Sequence, residues 1–569
     1  MSQRAWVELD RLDHQVKVHI ASNEKNMTDA AEAYEPDLIM APYLKTAIPE
    51  IIWKKYTCLI IHPGIPGDRG SSSLDWAILN NEKEWGVTIL QATKKMDAGP
   101  VWATDTFPMR EVSKSTLYRH EVTQAAMRAI LQAVLRFEEK NFIPIPAIET
   151  KGTTGKWNRP ANQNDFGFSW EETSASIIRK INSADSYPGA LCRILGDEYY
   201  SYGAVEESIL KGKPGEILAQ RNNAICIATI DLAVWLQCLK RNKEGSIKLP
   251  ASIALGDKAN DIPYSSINIL EGEPGTKTFR EIRYEEENEV GYLYFDFYNG
   301  AMSSDQCQRL QQAFIAAKKR NTKVIVLMGG EDIWSNGIHL NVIEASQDPA
   351  QASWGNINAM DDLVREIICT ASHYIISAMQ GNAGGGGVPL ALAADKVLAR
   401  KGIVFNPHTR NMGLFGSEYW TYLLPKRIGT QRASMFTEQC LPWGTDIAME
   451  VKLIDDCFGD SAEIFRTKVK TIANEVAQLS YFPKLLTAKQ FKRNRDESYK
   501  PLEKYREEEL AKMYKNFFDD DWGYDYKRYC FVHKIDPLQN TNQLVEKDLF
   551  SERRKIWRRR KYEKLFYEA

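Results

Sequence analysis

Short apolar runs alternate with segments of helical spacing in the first quarter of the chain. The runs at residues 16–20, 38–41 and 58–61 predict buried strands. Residues 121–138 predict a helix, because apolar side chains recur there on one face. Strands that alternate with helices are typical of a doubly wound α/β domain with a parallel sheet and crossover helices. We expect such a domain over residues 1–150.

The beginning of the chain departs from this pattern. Residues 5–9 look helical, whereas a doubly wound domain usually opens with a strand. We therefore expect the first strand to be missing and the N-terminal sheet to have an unpaired edge or gap. Arg4 lies at the start of this helix, near the same sheet edge, and could bind a phosphate there.

Two further patterns follow along the chain. A polar stretch rich in glycine, proline and asparagine at residues 151–167 predicts a linker, and short strands then continue to about residue 248. From about residue 280, strands and helices form ββα units around a run of glycines at 384–387. A charged helix at residues 502–515 is predicted to be a solvated face. We therefore divide the chain into three α/β or β domains, at residues 1–150, 151–270 and 271–569.

Composition limits the classes of function. At 569 residues the chain is too long for one ordinary core, so about two to four domains are expected. A net charge of −2 argues against a nucleic-acid partner held by bulk charge. Nine scattered cysteines without a C-x-x-C motif favour neither disulfides nor a zinc site, so no metal is predicted. No run reaches the roughly 18 apolar residues that cross a membrane, and no secretory signal is visible. We expect a cytoplasmic protein without a membrane partner.

Candidate chemistry begins at His62, at the C-terminal end of the predicted strand at 58–61. Open α/β sheets bind ligands at this end of their strands. Three glycines and two prolines in residues 63–70 hold the following loop tightly. A second strand-like run, at 85–90, leads to Asp97. A His/Asp pair held in this way is suited to moving a proton during acyl transfer, although a lone histidine after a strand is usually structural.

Five motifs around this pair occur in the same order in the folate-dependent formyltransferases, which the chain resembles here. They are Ile60-Ile61-His62-Pro63, Arg69-Gly70, Trp76-Ala77-Ile78, Gly86-Val87-Thr88 and Asp97-Ala98-Gly99. The resemblance implies formyl transfer from 10-formyltetrahydrofolate, with His62 and Asp97 as catalytic residues. It implies folate contacts from Ile60, Gly64, Ile65, Arg69 and Gly70. The family's asparagine, which polarises the formyl oxygen, is replaced by Ile60, and this argues against ordinary transfer to an amine.

A second block resembles the start of the small β-barrel domain of the formyltransferases. It contains Arg179-Lys180-Ile181 and Pro188-Gly189-Ala190, and it implies a barrel over residues 151–270. The glycine of the turn at 185–190 is most simply a determinant of the fold. Ser186 and Tyr187 in the same turn are candidates for lining a passage between domains.

The third domain resembles the crotonase superfamily, the enoyl-CoA hydratase/isomerase fold with its ββα superhelix. The matching segments are Tyr298-Asn299-Gly300-Ala301-Met302, Gly329-Gly330-Glu331, Ser335-Asn336-Gly337-Ile338-His339-Leu340, Gly381-Asn382-Ala383-Gly384-Gly385-Gly386-Gly387 and Leu424-Pro425-Lys426-Arg427-Ile428-Gly429. The resemblance implies that the N–H groups of Ile338 and Gly386 hold the carbonyl of a CoA thioester. Gly337 and Gly385 would let the backbone approach that ligand closely.

The acid/base groups of this domain differ from those of the hydratases. By spacing, the two hydratase glutamates correspond to Pro389 and Thr409, so addition of water to a double bond is not expected. Glu418 and Tyr419 are the best candidates for new acid/base groups. Either could equally be a surface or packing residue.

The combination of the two halves resembles the HypX family of hydrogenase maturation proteins. It implies transfer of a formyl group from 10-formyltetrahydrofolate to coenzyme A, and then decarbonylation of formyl-CoA to CO and CoA. The partners would be these small-molecule substrates and the hydrogenase maturation machinery. One alternative is an amine or nucleotide-sugar formyltransferase with an acyl-CoA-binding second half. Another is a non-catalytic assembly factor that docks on a hydrogenase subunit.

Overall fold

The computed structural model describes residues 1–44, 46–139, 141–150, 153–268, 270 and 276–535. These residues form three packed units that follow one another along the chain. The predicted third domain extends to residue 569, and its last part, 536–569, lies outside the described residues.

The N-terminal unit is a four-stranded sheet covered by helices. Its helices are α1 (Ser2–Arg11), α2 (Glu24–Tyr34), α3 (Glu50–Lys55), α4 (Ser73–Leu79), α5 (Lys114–Leu117) and α6 (Thr123–Glu138), with a π-helical turn at Tyr118–Val122 and a 3₁₀ turn at Ala147–Glu149. Its strands are β1 (Leu38–Ala41), β2 (Thr57–His62), β3 (Glu84–Gln91) and β4 (Val101–Pro108), in the order β1-β2-β3-β4. The buried faces of α1, α4 and α6 pack on the sheet and form its main core.

The structure corrects two expectations for this unit. The β1 and β2 strands pair in parallel, as predicted, but β3 is antiparallel to both of its neighbours, so the sheet is mixed. The strand predicted at residues 16–20 is wrong. Val18 and Ile20 are 63% and 72% exposed, and an apolar run that leaves most of its side chains unburied and pairs with no strand gains little from strand geometry.

The middle unit is an antiparallel sheet with one long helix packed on it. Its elements are α7 (Gln163–Phe166), α8 (Ser174–Ala184), β5 (Ala190–Ile194), β6 (Asp197–Glu207), β7 (Ile217–Arg221), β8 (Ala224–Ala228), β9 (Ala233–Arg241), β10 (Leu249–Pro250), α9 (Ala251–Leu255) and a 3₁₀ turn at Gly256–Ala259. The strand order is β5-β6-β9-β8-β7, with β10 beside β9. Among the described strands β5 and β7 do not pair with each other, so the sheet stays open and the expected barrel is not closed.

The third unit contains two sheets joined by helices. Its strands are β11 (Ile282–Glu287), β12 (Val290–Phe295), β13 (Val324–Gly329), β14 (Ile333–Ser335), β15 (Tyr374–Met379), β16 (Asn382–Gly384), β17 (Lys396–Arg400), β18 (Val404–Asn406), β19 (Trp443–Gly444) and β20 (Asp456–Phe458). One sheet has the order β11-β12-β13-β15-β17-β20, and the other has the order β14-β16-β18-β19. This repeated pairing of successive ββα units is the crotonase-like architecture that the sequence predicted.

Helices cover both faces of the larger sheet in this unit. The helices of the whole unit are α10 (Ser304–Ala317), α11 (Leu340–Glu344), α12 (Pro349–Cys369), α13 (Gly387–Leu392), α14 (Trp420–Ile428), α15 (Thr430–Gln439), α16 (Thr445–Glu450), α17 (Ala462–Ala477), α18 (Phe482–Tyr499), α19 (Leu502–Tyr514) and α20 (Tyr524–His533), with 3₁₀ turns at Tyr298–Gly300 and His408–Met412 and a π-helical turn at Lys515–Asp519. Ser303 caps α10 in a capping box with Gln306. None of the helices in the described ranges is long and apolar enough to span a bilayer.

Charged side chains join the N-terminal unit to the third unit. Asp332, just after β13, accepts a hydrogen bond from Thr116 at 2.8 Å and pairs with Arg119 at 3.0 Å. The Nε2 atom of His120 lies 3.0 Å from the other carboxylate oxygen. Arg110 bridges Glu331 and Glu121 beside them. The π-helical turn therefore fixes the N-terminal unit against the end of strand β13.

We expect Asp332→Asn to weaken this interface by about 2 kcal/mol at neutral pH. Burial opposes the charge of Asp332, but the hydrogen bond from His120 and the charge of Arg119 outweigh it and lower its pKa from 3.8 to about 2. A lowered carboxyl pKa stabilises the folded state above the unfolded pKa, and this stabilisation is lost as the pH falls toward 2. The free energy of unfolding measured in urea should therefore differ between the variant and wild type at pH 7, and by less at pH 3. Asp460→Asn, at an exposed acid, is the control, and equal stability of Asp332→Asn and wild type would contradict the prediction.

Candidate active sites

The first site is built around His62, the last residue of β2. Alternation along this strand places Cys58, Ile60 and His62 on one face. The His62 residue is 4% exposed, and its Nε2 lies 2.8 Å from Asp68 Oδ2. Its Nδ1 lies 3.8 Å from Asp97 Oδ1. The imidazole thus stands between two carboxylates and can pass a proton to either side.

Asp68 is a site residue that sequence reasoning missed. It is 2% exposed, and besides His62 its carboxylate receives the side-chain amide of Asn158 at 3.4 Å. Its position directly before Arg69-Gly70 was a signal that it belongs to the loop. Which way an aspartate side chain points in such a loop depends on the backbone path, and the sequence does not show that path.

Hydrogen bonds from neighbouring elements hold the loop after β2. Trp85 and Ser73 donate to the carbonyl of Pro63 at 2.9 and 2.8 Å, and Thr88 donates to the carbonyl of Gly64 at 2.7 Å. The predicted linker also contacts the loop, because Gly155 N–H donates to the Pro66 carbonyl at 3.1 Å. The N-terminal part of the linker therefore forms one wall of the site.

The structure brings the predicted contact residues of this site together. Ile60 shares the face of His62 and packs at the edge of a small apolar cluster, so no donor stands at the position of the family's asparagine. Gly70 N–H donates to Asp97 Oδ2 at 3.2 Å. Gly70 has φ +119°, and a Cβ there would overlap the Asn158 carbonyl. Arg69 pairs through its backbone with Trp157, and Ile65 is partly buried against the sheet core.

We expect Gly64→Ala to lower the formyl transfer that the sequence resemblance implies by at least about 10-fold, the scale of a misplaced catalytic group. A Cβ at Gly64 would stand 2.5 Å from both His62 Nε2 and Asp68 Oδ2, so the imidazole and carboxylate must separate. Steady-state kinetics with formyl-folate measures the effect. Gly355→Ala is the control, because a Cβ at Gly355 in helix α12 meets nothing within 4 Å. Wild-type rates for both variants would show that the close approach of Gly64 to His62 and Asp68 is not needed.

Tyr187 and Arg4 contact other domains, whereas Ser186 contacts its own. The carbonyl of Tyr187 accepts from Lys114 of the N-terminal unit at 3.2 Å, and Tyr187 is 82% exposed. The carbonyl of Ser186 accepts from Lys248 of its own unit, also at 3.2 Å. Arg4 lies against Gly402 of the third unit and pairs with Glu8 at 3.5 Å. The structure therefore gives Arg4 a contact between domains.

A cavity of about 570 Å³ lies where the three units meet. Its walls include Ser115, Gly203 and Tyr298, one from each unit. Of the described residues that line it, none is Ser186 or Tyr187.

The second site lies where two glycine-containing segments of the third unit meet. A Cβ at Gly337, which has φ +77°, would stand 3.0 Å from the Gly386 nitrogen, and one at Gly385 would stand 3.2 Å from the Asn336 carbonyl. Neither Ile338 N–H nor Gly386 N–H donates a hydrogen bond within the described part of the chain. Two adjacent free N–H groups fit a carbonyl oxygen that gains negative charge.

Glu418 lies directly against this pair of segments. A Cβ at Gly386 would overlap the Glu418 carboxyl group, and the side chain is 3% exposed. Burial raises the pKa of Glu418 well above its usual 4.5, and the nearby carboxyls of Asp361 and Glu509 raise it further. Glu418 can therefore hold a proton at neutral pH beside the predicted oxyanion site.

The neighbouring candidate Tyr419 has a different position. Its side chain is fully buried in the main core of the third unit. Its hydroxyl has no hydrogen-bond partner among the described residues. His408, in contrast, faces the glycine run, since its Cε1 would stand 3.1 Å from a Cβ at Gly384. Its Nδ1 lies 2.8 Å from the Asn406 carbonyl, and donation there leaves Nε2 as an acceptor.

Three known protein families match successive parts of the chain. The family described as Formyl transferase matches residues 13–134, and the Formyl transferase C-terminal domain matches residues 161–252. The family described as Enoyl-CoA hydratase/isomerase matches residues 286–537. These matches establish a formyltransferase-like first half and a crotonase-like second half.

Two relatives match nearly the whole chain. The hydrogenase maturation factor HoxX of Bradyrhizobium diazoefficiens is 42% identical over 94% of this chain and 93% of its own length. The crystal structure of HypX from Aquifex aeolicus in complex with tetrahydrofolic acid has a TM-score of 0.91 at 43% identity, covering 96% of this chain and 97% of that one. A variant of the same Aquifex protein has a TM-score of 0.91 at 44% identity, covering 94% of each chain. The chain therefore belongs to the HypX/HoxX family of hydrogenase maturation proteins.

Proposed function

We propose that this protein makes carbon monoxide for hydrogenase maturation in two steps. The first site transfers the formyl group of 10-formyltetrahydrofolate to the thiol of coenzyme A. The second site splits the resulting formyl-CoA into CO and CoA. The relative from Bradyrhizobium diazoefficiens is named as a hydrogenase maturation factor, and the Aquifex aeolicus HypX crystal contains tetrahydrofolic acid.

In the first step His62 would take the proton of the attacking thiol and return a proton to the folate nitrogen. The bond from the sulfur to the formyl carbon forms, and the bond from that carbon to the folate nitrogen breaks. Asp68 and Asp97, at 2.8 and 3.8 Å from the two ring nitrogens, would stabilise the imidazolium between these transfers. Ile60 leaves the formyl oxygen without the family's amide donor, and this supports an acceptor other than an amine.

In the second step the N–H groups of Ile338 and Gly386 would hold the thioester oxygen. A base takes the formyl hydrogen as a proton, the carbon–sulfur bond breaks, and its electron pair leaves with the sulfur. Glu418 would give the departing thiolate its proton, so that CO and CoA are the products. His408 Nε2 is the described acceptor best placed to serve as the base.

The observation that carries this proposal is the contact of the Glu418 carboxyl group with Gly386. A hydratase needs two glutamates at the positions of Pro389 and Thr409, and neither residue here can act as an acid. A buried carboxylic acid beside two unpaired N–H groups instead suits protonation of a leaving group. The second half is therefore assigned a cleavage rather than a hydration.

Incubation with 10-formyltetrahydrofolate and CoA, with and without a competing amine such as a nucleotide amino sugar, tests the proposal. We expect formyl-CoA by mass spectrometry and CO in the gas phase, both unaffected by the amine. A formylated amine would support the alternative formyltransferase instead. Absence of any turnover would support a non-catalytic assembly factor.

A further inference from the structure

Glu418 and Tyr419 occupy a turn whose backbone is unfavourable for ordinary residues. Both have φ +58°, the left-handed region that residues other than glycine, asparagine and aspartate seldom adopt. Two such residues in succession persist only where the surroundings hold them. Buried acids on two distant helices provide that support.

Asp361 on helix α12 holds the first half of the turn. It is fully buried, and its Oδ1 accepts the Glu418 N–H at 2.8 Å. Its Oδ2 accepts the Ser417 hydroxyl at 2.9 Å. Arg506 Nε on helix α19 lies 3.9 Å from the same oxygen.

Glu509 on helix α19 holds the second half of the turn. It is 1% exposed, and it accepts the N–H groups of Tyr419 and Thr421 at 2.9 and 2.8 Å. These N–H groups lie at the start of helix α14, so Glu509 caps that helix from another element. Its Oε2 also lies 3.3 Å from the Ser417 hydroxyl oxygen.

The three carboxyl groups differ in how many donors they receive. Asp361 and Glu509 each accept at least two hydrogen bonds from N–H or O–H groups, which favours the ionised form. Glu418 receives only the N–H of Ser417, at 3.1 Å, among the described residues. Burial raises the pKa of Asp361 to about 7 and that of Glu509 to about 8, and it raises the pKa of Glu418 well above 4.5. Cys307 on α10 also faces Glu418 and Asp361.

We propose that Asp361 and Glu509 are positioning residues that hold Glu418 against Gly386 and keep its carboxyl group protonated. When Asp361 is ionised, its negative charge opposes ionisation of the nearby Glu418. Glu509 fixes the turn that points Glu418 into the site. This assignment refines the proposed function, since it explains how a carboxylic acid remains available at the second site.

Asp361→Asn and Glu509→Gln test this role, with Glu508→Gln as the control. The Glu508 side chain is 61% exposed and pairs with Lys500. The rate of CO release from formyl-CoA should fall at alkaline pH, where Glu418 loses its proton. We expect this alkaline fall to occur about one pH unit lower in Asp361→Asn than in wild type. Glu509→Gln should move it in the same direction by less, and Glu508→Gln should not move it. A merely structural role would lower the rate without moving the pH of the fall, and this outcome would overturn the proposal.

Infrared titration follows the Glu418 proton without relying on catalysis. Wild type should show the carbonyl band of a protonated carboxyl group, and Glu418→Gln should lack this band. In wild type the band should persist through neutral pH. In Asp361→Asn the same band should be lost at lower pH, and Glu509→Gln serves if Asp361→Asn does not fold. A band that titrates at the same pH in every variant would refute the positioning role. If formyl-CoA yields no CO but the band shifts, the proposed function fails and the positioning role stands.

Discussion

His62→Asn is expected to lower formyl transfer to CoA by about 10²–10⁴-fold, the usual contribution of a general acid–base group. Asparagine keeps a polar side chain but cannot take the thiol proton and return it. The imidazole is buried between Asp68 and Asp97 at the end of β2, where no other histidine of the described chain contacts these acids. Formation of formyl-CoA from 10-formyltetrahydrofolate, followed by mass spectrometry, measures the loss.

The second site should be insensitive to this change. With formyl-CoA supplied directly, His62→Asn should release CO at the wild-type rate, because the two sites lie in different domains. His19→Asn, at an exposed histidine that contacts Asn26, is the matched control for formyl transfer. Wild-type transfer by His62→Asn would remove His62 from the mechanism.

Glu418→Gln is expected to have the opposite pattern of effects. It should lower CO release from formyl-CoA by about 10²–10⁴-fold and leave formyl transfer intact, so that formyl-CoA accumulates. Glutamine has the size of glutamate and can occupy the same space against Gly386, but its amide does not protonate a thiolate. Gas-phase CO and formyl-CoA, measured in one reaction, give both rates.

Glu438→Gln is the control for this change, at an exposed glutamate of the same domain that accepts from Ser434. Its CO release should equal that of wild type. If Glu418→Gln releases CO as fast as this control does, Glu418 is not the acid. His408 would then be the next group to test.

In the first site the position of His62 was predictable, because it depends on local chain geometry. An apolar run followed by glycine and proline is enough to place His62 at a strand end, and the structure puts β2 there. Asp68 could not be predicted, because its carboxylate turns back toward His62 only along the path that residues 63–70 take. The strand expected at residues 16–20 failed for a similar reason, since strand formation depends on neighbours that the local sequence does not show.

In the second site the approach of the two backbone segments was predictable, but the buried acids that support it were not. A glycine run between a strand and a helix indicates close approach, and the segments at Gly337 and Gly386 do meet. Asp361 and Glu509 reach the Glu418 turn from 57 and 90 residues away along the chain. Helix α19 was predicted to be a solvated face, yet Glu509 is buried. Charged residues on a helix give no sign of a partner so distant in sequence.

Tracing the formyl carbon tests the central claim most directly. The protein is supplied with CoA and 10-formyltetrahydrofolate that carries ¹³C in the formyl group, and the gas phase and the solution are analysed by mass spectrometry. The account predicts ¹³CO, with formyl-CoA labelled in the same carbon and accumulating in Glu418→Gln. Label found in formate or a formylated amine, with none in CO, would contradict it.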